Sequence, residues 1–391
     1  MQLTFDPDVE AFRAEFVAFL AEHLPTEAEA SERSRSSAHI PGWARRWQRL
    51  QFDHGWLLPG NPPEFGGRNA TLLQQYVHLE ELARRRIYHS FNPQGLGIIA
   101  ASLLSFGSEE HKRRWAVPIL RAELTAALGM SEPGAGSDLA SLRTRAVLDG
   151  DHFVVNGQKV WTSGAHDADV LLAFVRTDPD APKHKGISVL LIPTDTPGVT
   201  RRPFGSIAAP DDLDFNEVFF EDVRVPAENL VGELHKGWRV ATGSLGHERT
   251  MLWLSFAERL EDLIRDFRPA AALDRDWYAT LIMDAQALRL LGSAALARAA
   301  RGDQDVAALS VLKLLGSEAV QNATERALEA AGPAALAHPA TTAHPSHMRL
   351  EVFSSGWFER YARSFGGTIA GGTSEIQRTI IAERVLGLPR S

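Results

Sequence analysis

Four short stretches of the chain carry residue types that can do chemistry. In "LGMSEPGAGSDLASL" (128–142), Gly134 and Gly136 bracket Ala135 within a run of hydroxyl and acidic side chains. Glycine frees backbone amides for close approach to a ligand, and Ser131 and Ser137 add hydroxyls that bond a ring edge or an amide. A tight loop alone would also explain the glycines. In "KVWTSG" (159–164), Trp161 is followed by two hydroxyl residues, Thr162 and Ser163. That suits an aromatic wall with a hydrogen-bonding tip against a flat heterocycle, although a chain with nine tryptophans can bury any one of them in its core. "LGHERTML" (245–252) sets Glu248 and Arg249 side by side, where a helix points them about 100° apart and keeps them from pairing. On composition alone Glu248 is a surface residue. "AGGTSEIQ" (370–377) puts two glycines before a helix, with Ser374 and Gln377 at capping-box spacing.

The elements that must hold these stretches change character twice. Residues 1–124 read as helices interrupted by "LPGNPPEFGG" (58–67), with Val9, Phe12, Phe16 and Leu20 at helical spacing near the start and a helix over 72–86. The Arg84–Arg85–Arg86 run on that helix is read as a solvated face rather than an anion site. From 125 to 235 the pattern is that of short strands. Asp149–Gly150 and Asn156–Gly157 are read as two-residue turns, and 169–177, 186–193 and 216–226 as further strands of a small antiparallel β-barrel. From 236 to 391 helices return, and 277–302 and 305–332, proline-free and joined by a few residues, must pack antiparallel in a bundle. The expected fold is therefore α+β and multidomain.

Composition removes whole classes of function. The 391 residues contain no cysteine, which excludes thiolate catalysis, thiolate metal sites and disulfides and fits a cytoplasmic protein. The net charge of −8 argues against a nucleic-acid partner, and no run of about 18 apolar residues marks a membrane span. Walker, G-x-G-x-x-G, H-E-x-x-H and G-x-S-x-G motifs are all missing. His338, His344 and His347 lie in a proline-rich stretch without carboxylates beside them, so no metal is expected.

Together "SEPGAGSDLA" (131–140), "VNGQKVWTSGAHDAD" (155–169), "FFEDVRVPAENLVGE" (219–233) and "GGTSEIQRTIIAERVLGLP" (371–389) resemble the acyl-CoA dehydrogenase family over nearly the whole chain. The resemblance implies an N-terminal α domain, a middle β-barrel and a C-terminal four-helix bundle that mediates oligomerisation. It also implies FAD held without a Rossmann fold, an acyl-CoA thioester oxidised to its trans-2-enoyl form, and electron-transfer flavoprotein as acceptor. Carried over by position, Met130 and Ser131 would meet the flavin pyrimidine, Trp161 its ring, and Ser163 the N5 edge. Ser137 would lie toward pantetheine, Arg249 at the site mouth, and Thr373 and Glu375 near FAD.

In well-known members a Glu precedes the Gly-Thr of the C-terminal turn and acts as base, and Gly371 stands there instead. The resemblance to the isovaleryl-CoA dehydrogenase branch, whose base lies on an "LxxER" helix, implies Glu248 as base with the Gly371 amide polarising the thioester carbonyl. Two stretches that usually reach FAD of a neighbouring subunit are altered, to "IRDFRPAAALDRD" (264–276) and "EAAGPAA" (329–335), leaving Arg265 or Arg268 as substitutes. This resembles bacterial members acting on bulky substrates, some of them heterotetramers with a related subunit. A homo-oligomer and a half-competent partner subunit both remain open at this point.

Overall fold

A computed structural model describes residues 5–32, 34–85, 87, 90–208, 210, 213–269, 271–303, 306–336 and 356–389, and leaves the side chains of 244–250, 306 and 334 undescribed. His338, His344 and His347 lie outside the described residues. The N-terminal part consists of α1 (Pro7–His23), α2 (Gly42–Asp53), α3 (Leu72–Arg84), α4 (Ala101–Phe106), α5 (Glu109–His111) and α6 (Val117–Leu120). Val9, Phe12, Phe16 and Leu20 are buried along α1 as their spacing requires, and Phe12 and Phe16 each pack 5.0 Å from the Trp56 ring. A π-helical turn, Gly95–Ala100, leads into α4, and such widened turns are frequent where a helix lines a functional site.

The arginine pair at the end of α3 is not simply solvated. Arg84 and Arg85 pair with Glu81, which is almost fully buried and also takes Arg13 of α1 at 2.7 Å. Burial pushes the Glu81 carboxyl up, but the bonds from Arg13 and Arg85 outweigh it and hold it below the usual range. Arg13 joins α1 to α3 through Glu81, and Arg84 and Arg85 pair with the same carboxylate from the end of α3.

The β region contains β1 (Ala126–Gly129), β2 (Arg145–Asp149), β3 (His152–Lys159), β4 (Val170–Arg176), β5 (Ile187–Pro193), β6 (Val199–Phe204) and β7 (Phe215–Pro226). They form one curled sheet in the order β1-β4-β2-β3-β7-β6, with β5 on β4. Four pairings are antiparallel as expected, whereas β1 and β2 meet β4 in parallel. The parallel pairs arise because long excursions, 130–144 and 160–169, separate these strands and hairpin geometry is not imposed. The expected turn between β2 and β3 forms one residue later, at Gly150–Asp151, because Asp149 still pairs with His152, and Gly150 takes a φ of +62°. Asn156–Gly157 makes no turn: it stays within β3 opposite a bulge of β7, where the two steps from Val155 to Gly157 face the three from Val223 to Phe220, and Asn156 bonds Asp222 in place of a hairpin reversal.

The C-terminal region holds α7 (Gly237–Asp266), α8 (Ala272–Ala299), α9 (Val306–Ala331), α10 (Trp357–Ile369) and α11 (Ser374–Arg384), with α7, α8, α9 and α10 packed as a bundle. One apolar cluster joins Phe16, Trp56 and Tyr76 of the N-terminal region to Trp253 and Leu288 of the bundle. A second joins Leu96 and Ile99 to Leu172 and Val189 of the sheet and to Val240 and Ala241 of α7. The start of α7 thus lies where all three regions meet.

Candidate active site

The excursion after β1 is held by two short backbone ties. Glu132 and Ala135 exchange N–H···O bonds of 2.9 and 3.0 Å, and the Val160 amide donates to the Ser131 carbonyl at 2.9 Å. These bring Met130 and Ser131 against the end of β3. A Cβ added to Gly134 or Gly136 would meet nothing within 4 Å, and neither residue adopts a left-handed φ. Neither turn geometry nor internal packing demands glycine there, which disfavours the tight-loop explanation and leaves room for an outside molecule.

Beneath the loop lies an ion pair that the motifs did not reveal. Lys159, with 0% exposure, donates from Nζ to Glu132 Oε1 at 2.8 Å and to the Met130 carbonyl at 3.1 Å. Glu132 also accepts from the Arg143 and Thr144 amides at 2.6 and 2.9 Å. Burial pulls the Lys159 ammonium down to about 8, with Glu132 opposing. Burial likewise pushes Glu132 up, but Lys159 and the two amides carry it below the usual carboxylate range. The alternation of β3 did contain the signal, since Phe153, Val155 and Lys159 all face inward.

After β3 the backbone turns sharply at Trp161, whose φ of +61° is uncommon for a bulky residue. Such a conformation costs on the order of 1–3 kcal/mol and persists only where surroundings impose it. Here the Thr162 amide donates to the Asn216 carbonyl and the Asn216 side chain donates back to the Thr162 carbonyl, both at 3.1 Å. Trp161 is 57% exposed and meets Phe204 and Phe215 edge-on at 5.1 and 5.4 Å, so it is not a core residue. Ser163 is half-buried and makes no hydrogen bond among the described residues, and the buried Thr162 Oγ1 has no partner there. Ser137 is exposed.

The segment is clamped from outside. Arg35 and Ser36 reach Asp167 at 2.6 and 2.8 Å, and the Ser37 amide donates to Asp214 at 2.6 Å. Next to Met130, an apolar cleft is lined by Ile98, Ser102, Leu128, Leu172, Phe174 and Ala241. It lies between the π-helical turn, the sheet and α7. Gly97 on that turn faces open space, whereas Gly95 is closed off by Asn92.

The remaining expected residues lie on the helical bundle. Glu248 and Arg249 fall within α7, and their side chains are outside the described part. Gly371 and Gly372 have φ of +68° and +94°, and a Cβ on Gly372 would sit 2.7 Å from Gln377 Nε2, so this turn requires glycine. Helix α11 is capped by Thr373, whose hydroxyl accepts from the Ile376 amide at 3.3 Å. The expected Ser374–Gln377 box does not form, because Gln377 turns back to the Gly371 and Gly372 carbonyls. Lys313 of α9 donates to the Gly372 carbonyl at 2.7 Å. Glu375 is exposed, its carboxyl held low by its own amide and by Thr373. These contacts tie the turn to α9 and α11. Arg268 donates to backbone carbonyls at the end of its own helix, and Arg265 pairs with Asp262.

An exposed tryptophan, hydroxyls without a partner among the described residues and an open glycine loop thus stand near one another on a chain built helix–sheet–helix. The chain matches the models of the acyl-CoA dehydrogenase N-terminal domain over residues 6–123, middle domain over 127–223 and C-terminal domain over 235–386. It belongs to the acyl-CoA dehydrogenase family, oxidoreductases acting on acyl-CoA. It is 35% identical to acyl-CoA dehydrogenase IpdE1 of Mycobacterium tuberculosis, covering 98% of each chain. Among solved structures it is similar to the Tcur3481-Tcur3483 steroid ACAD, at TM-score 0.79 and 30% identity with 100% of both chains covered. The ChsE4-ChsE5 complex from Mycobacterium tuberculosis gives TM-score 0.77 at 30% identity, again covering 100% of both chains.

Proposed function

We propose that the protein is an FAD-dependent dehydrogenase of a bulky acyl-CoA, forming the trans-2-enoyl-CoA. The carrying observation is the exposed Trp161 beside the half-buried Ser163, which has no partner among the described residues, and the open 131–137 loop. These residues fit a flavin: a flat aromatic face, hydroxyls free to bond ring edges, and glycines that admit close approach. Met130, Ser131, Trp161 and Ser163 would hold the ring, and Thr373 and Glu375 would approach the cofactor from the helical bundle. FAD, when bound, supplies the acceptor for the hydride leaving C3.

The chain's own residues do the rest. Glu248 removes the C2 proton as a carboxylate, a role worth typically 10²–10⁴-fold in rate. The Gly371 amide donates to the thioester carbonyl, and one such donor contributes about 3 kcal/mol toward the developing charge. Ser137 and Arg249 bind the CoA arm near the mouth. A steroid-type acyl chain is favoured by the likeness to a protein named as a steroid ACAD. Electron-transfer flavoprotein would reoxidise the enzyme. The expected divisions at 124/125 and 235/236 are kept as the proposed domain boundaries.

A second reading is a half-competent subunit that needs a related chain. It is favoured by the likeness to two proteins that are each named for a pair of chains. One experiment separates the two: express the chain alone, measure its flavin content, and add short, long, branched and steroid-side-chain acyl-CoAs anaerobically. One FAD per chain with bleaching by the bulky thioesters supports the first reading. A colourless, inactive chain that gains both with a related subunit supports the second.

A further inference from the structure

We infer that Lys159 is a positioning residue for the cofactor: by gripping the Met130 carbonyl it aims the Ser131 amide N–H at the flavin edge. This rests on the flavin reading above and goes beyond it, because Lys159 is fully buried beneath the loop and touches no ligand itself. The Met130–Ser131 peptide is trans, so its N–H points opposite to its C=O. The carbonyl is fixed by Lys159 Nζ at 3.1 Å, on the inner side of the loop. The Ser131 N–H therefore points outward, and it donates to no acceptor among the described residues. The Ser131 carbonyl is fixed in turn by the Val160 amide, so both flanking peptide planes are locked. Glu132 keeps the ammonium in register through its 2.8 Å bond and is itself pinned by the Arg143 and Thr144 amides.

A buried lysine is an expensive way to hold a loop when an apolar side chain would fill the same space. What it provides that a methionine cannot is a fixed direction for one backbone donor. A donor at the pyrimidine edge favours the reduced, more electron-rich ring over the oxidised one, so the consequence is read in the flavin potential as well as in affinity.

The experiment compares wild type with the Lys159→Met/Glu132→Gln double variant, which leaves no unpaired buried charge. FAD affinity is measured by titration of apoprotein, and midpoint potential by dye equilibration at saturating FAD. Expected are at least tenfold weaker FAD binding and a further tenfold loss in preference for reduced flavin, about 30 mV more negative for a two-electron couple. Unchanged affinity and potential overturn the inference. Should the double variant not fold, wild type still decides. Met130–Ser131 is the only Met–Ser step in the chain, so carbonyl-labelled methionine with ¹⁵N-serine gives one amide signal. That signal is expected to move downfield and gain exchange protection when FAD is added. If FAD binds and the signal stays put, the inference fails while the flavin reading stands; if wild type binds no FAD, both fail.

Discussion

Replacing Glu258 with Gln should stabilise the protein above neutral pH and leave it unchanged in acid. Glu258 lies on α7 facing Arg289 of α8, with Glu261 and Arg259 on its own helix. Burial raises its carboxyl from 4.5 to about 7, assisted by Glu261 and opposed by Arg289 and Arg259. In the unfolded chain the group ionises near its ordinary value, so between 4.5 and about 7 the folded state holds a proton that the unfolded state has lost. Stability must fall with rising pH across that window, and the penalty is complete above it. At 1.36 kcal/mol per unit the penalty is about 3 kcal/mol. Unfolding entropy of about 2.1 cal/mol/K per residue turns this into about 4 °C for a chain of this length. Scanning calorimetry of wild type and Glu258→Gln at pH 4, 5, 6, 7 and 8 should show melting curves that nearly coincide at pH 4 and separate toward pH 8, the variant melting higher. A variant that melts lower at pH 8, or a gap that ignores pH, would mean that the folded protein does not hold Glu258 neutral.

Other substitutions probe the loop and the turn. Glu132→Leu should cost about 3–5 kcal/mol, because it strands the Lys159 charge in the interior, and should lower the melting temperature at pH 7 by several degrees. Trp161→Ala, which removes a mostly exposed side chain, should change apoprotein stability by no more than about 1 kcal/mol while unquenching the fluorescence of bound flavin. A melting loss as large as that of Glu132→Leu would instead make Trp161 structural. Gly372→Ala should cost on the order of 1–3 kcal/mol from its left-handed backbone and the approach to Gln377, read as a lower denaturant midpoint.

The sequence showed most plainly what depends on neighbouring residues. The apolar runs of 170–176 and 187–193, the helical faces of α1 and α3, and the two glycines before α11 are local patterns, and each appears where its pattern placed it. The exposure of Trp161 and the openness of the 131–137 loop agree with residue types that packing explains poorly. What escaped depends on contacts distant in the chain. Lys159 and Glu132 are 27 residues apart and pair only once β3 lies under the loop. Asn156–Gly157 has the composition of a turn, but pairing with β7, which bulges opposite it, keeps it inside the strand. Gln377 has capping-box spacing, but the two glycine carbonyls outcompete the box. The parallel entry of β1 beside β4 follows from a long excursion whose course no local pattern encodes.

In the proposed reaction, proton abstraction has passed to Glu248 while Gly371 keeps only its amide. The sharpest test is anaerobic stopped-flow reduction of the Glu248→Gln variant by a substrate acyl-CoA. Full FAD occupancy and substrate binding are expected, with flavin bleaching slowed by about 10²–10⁴-fold. Bleaching at the wild-type rate would place the base elsewhere.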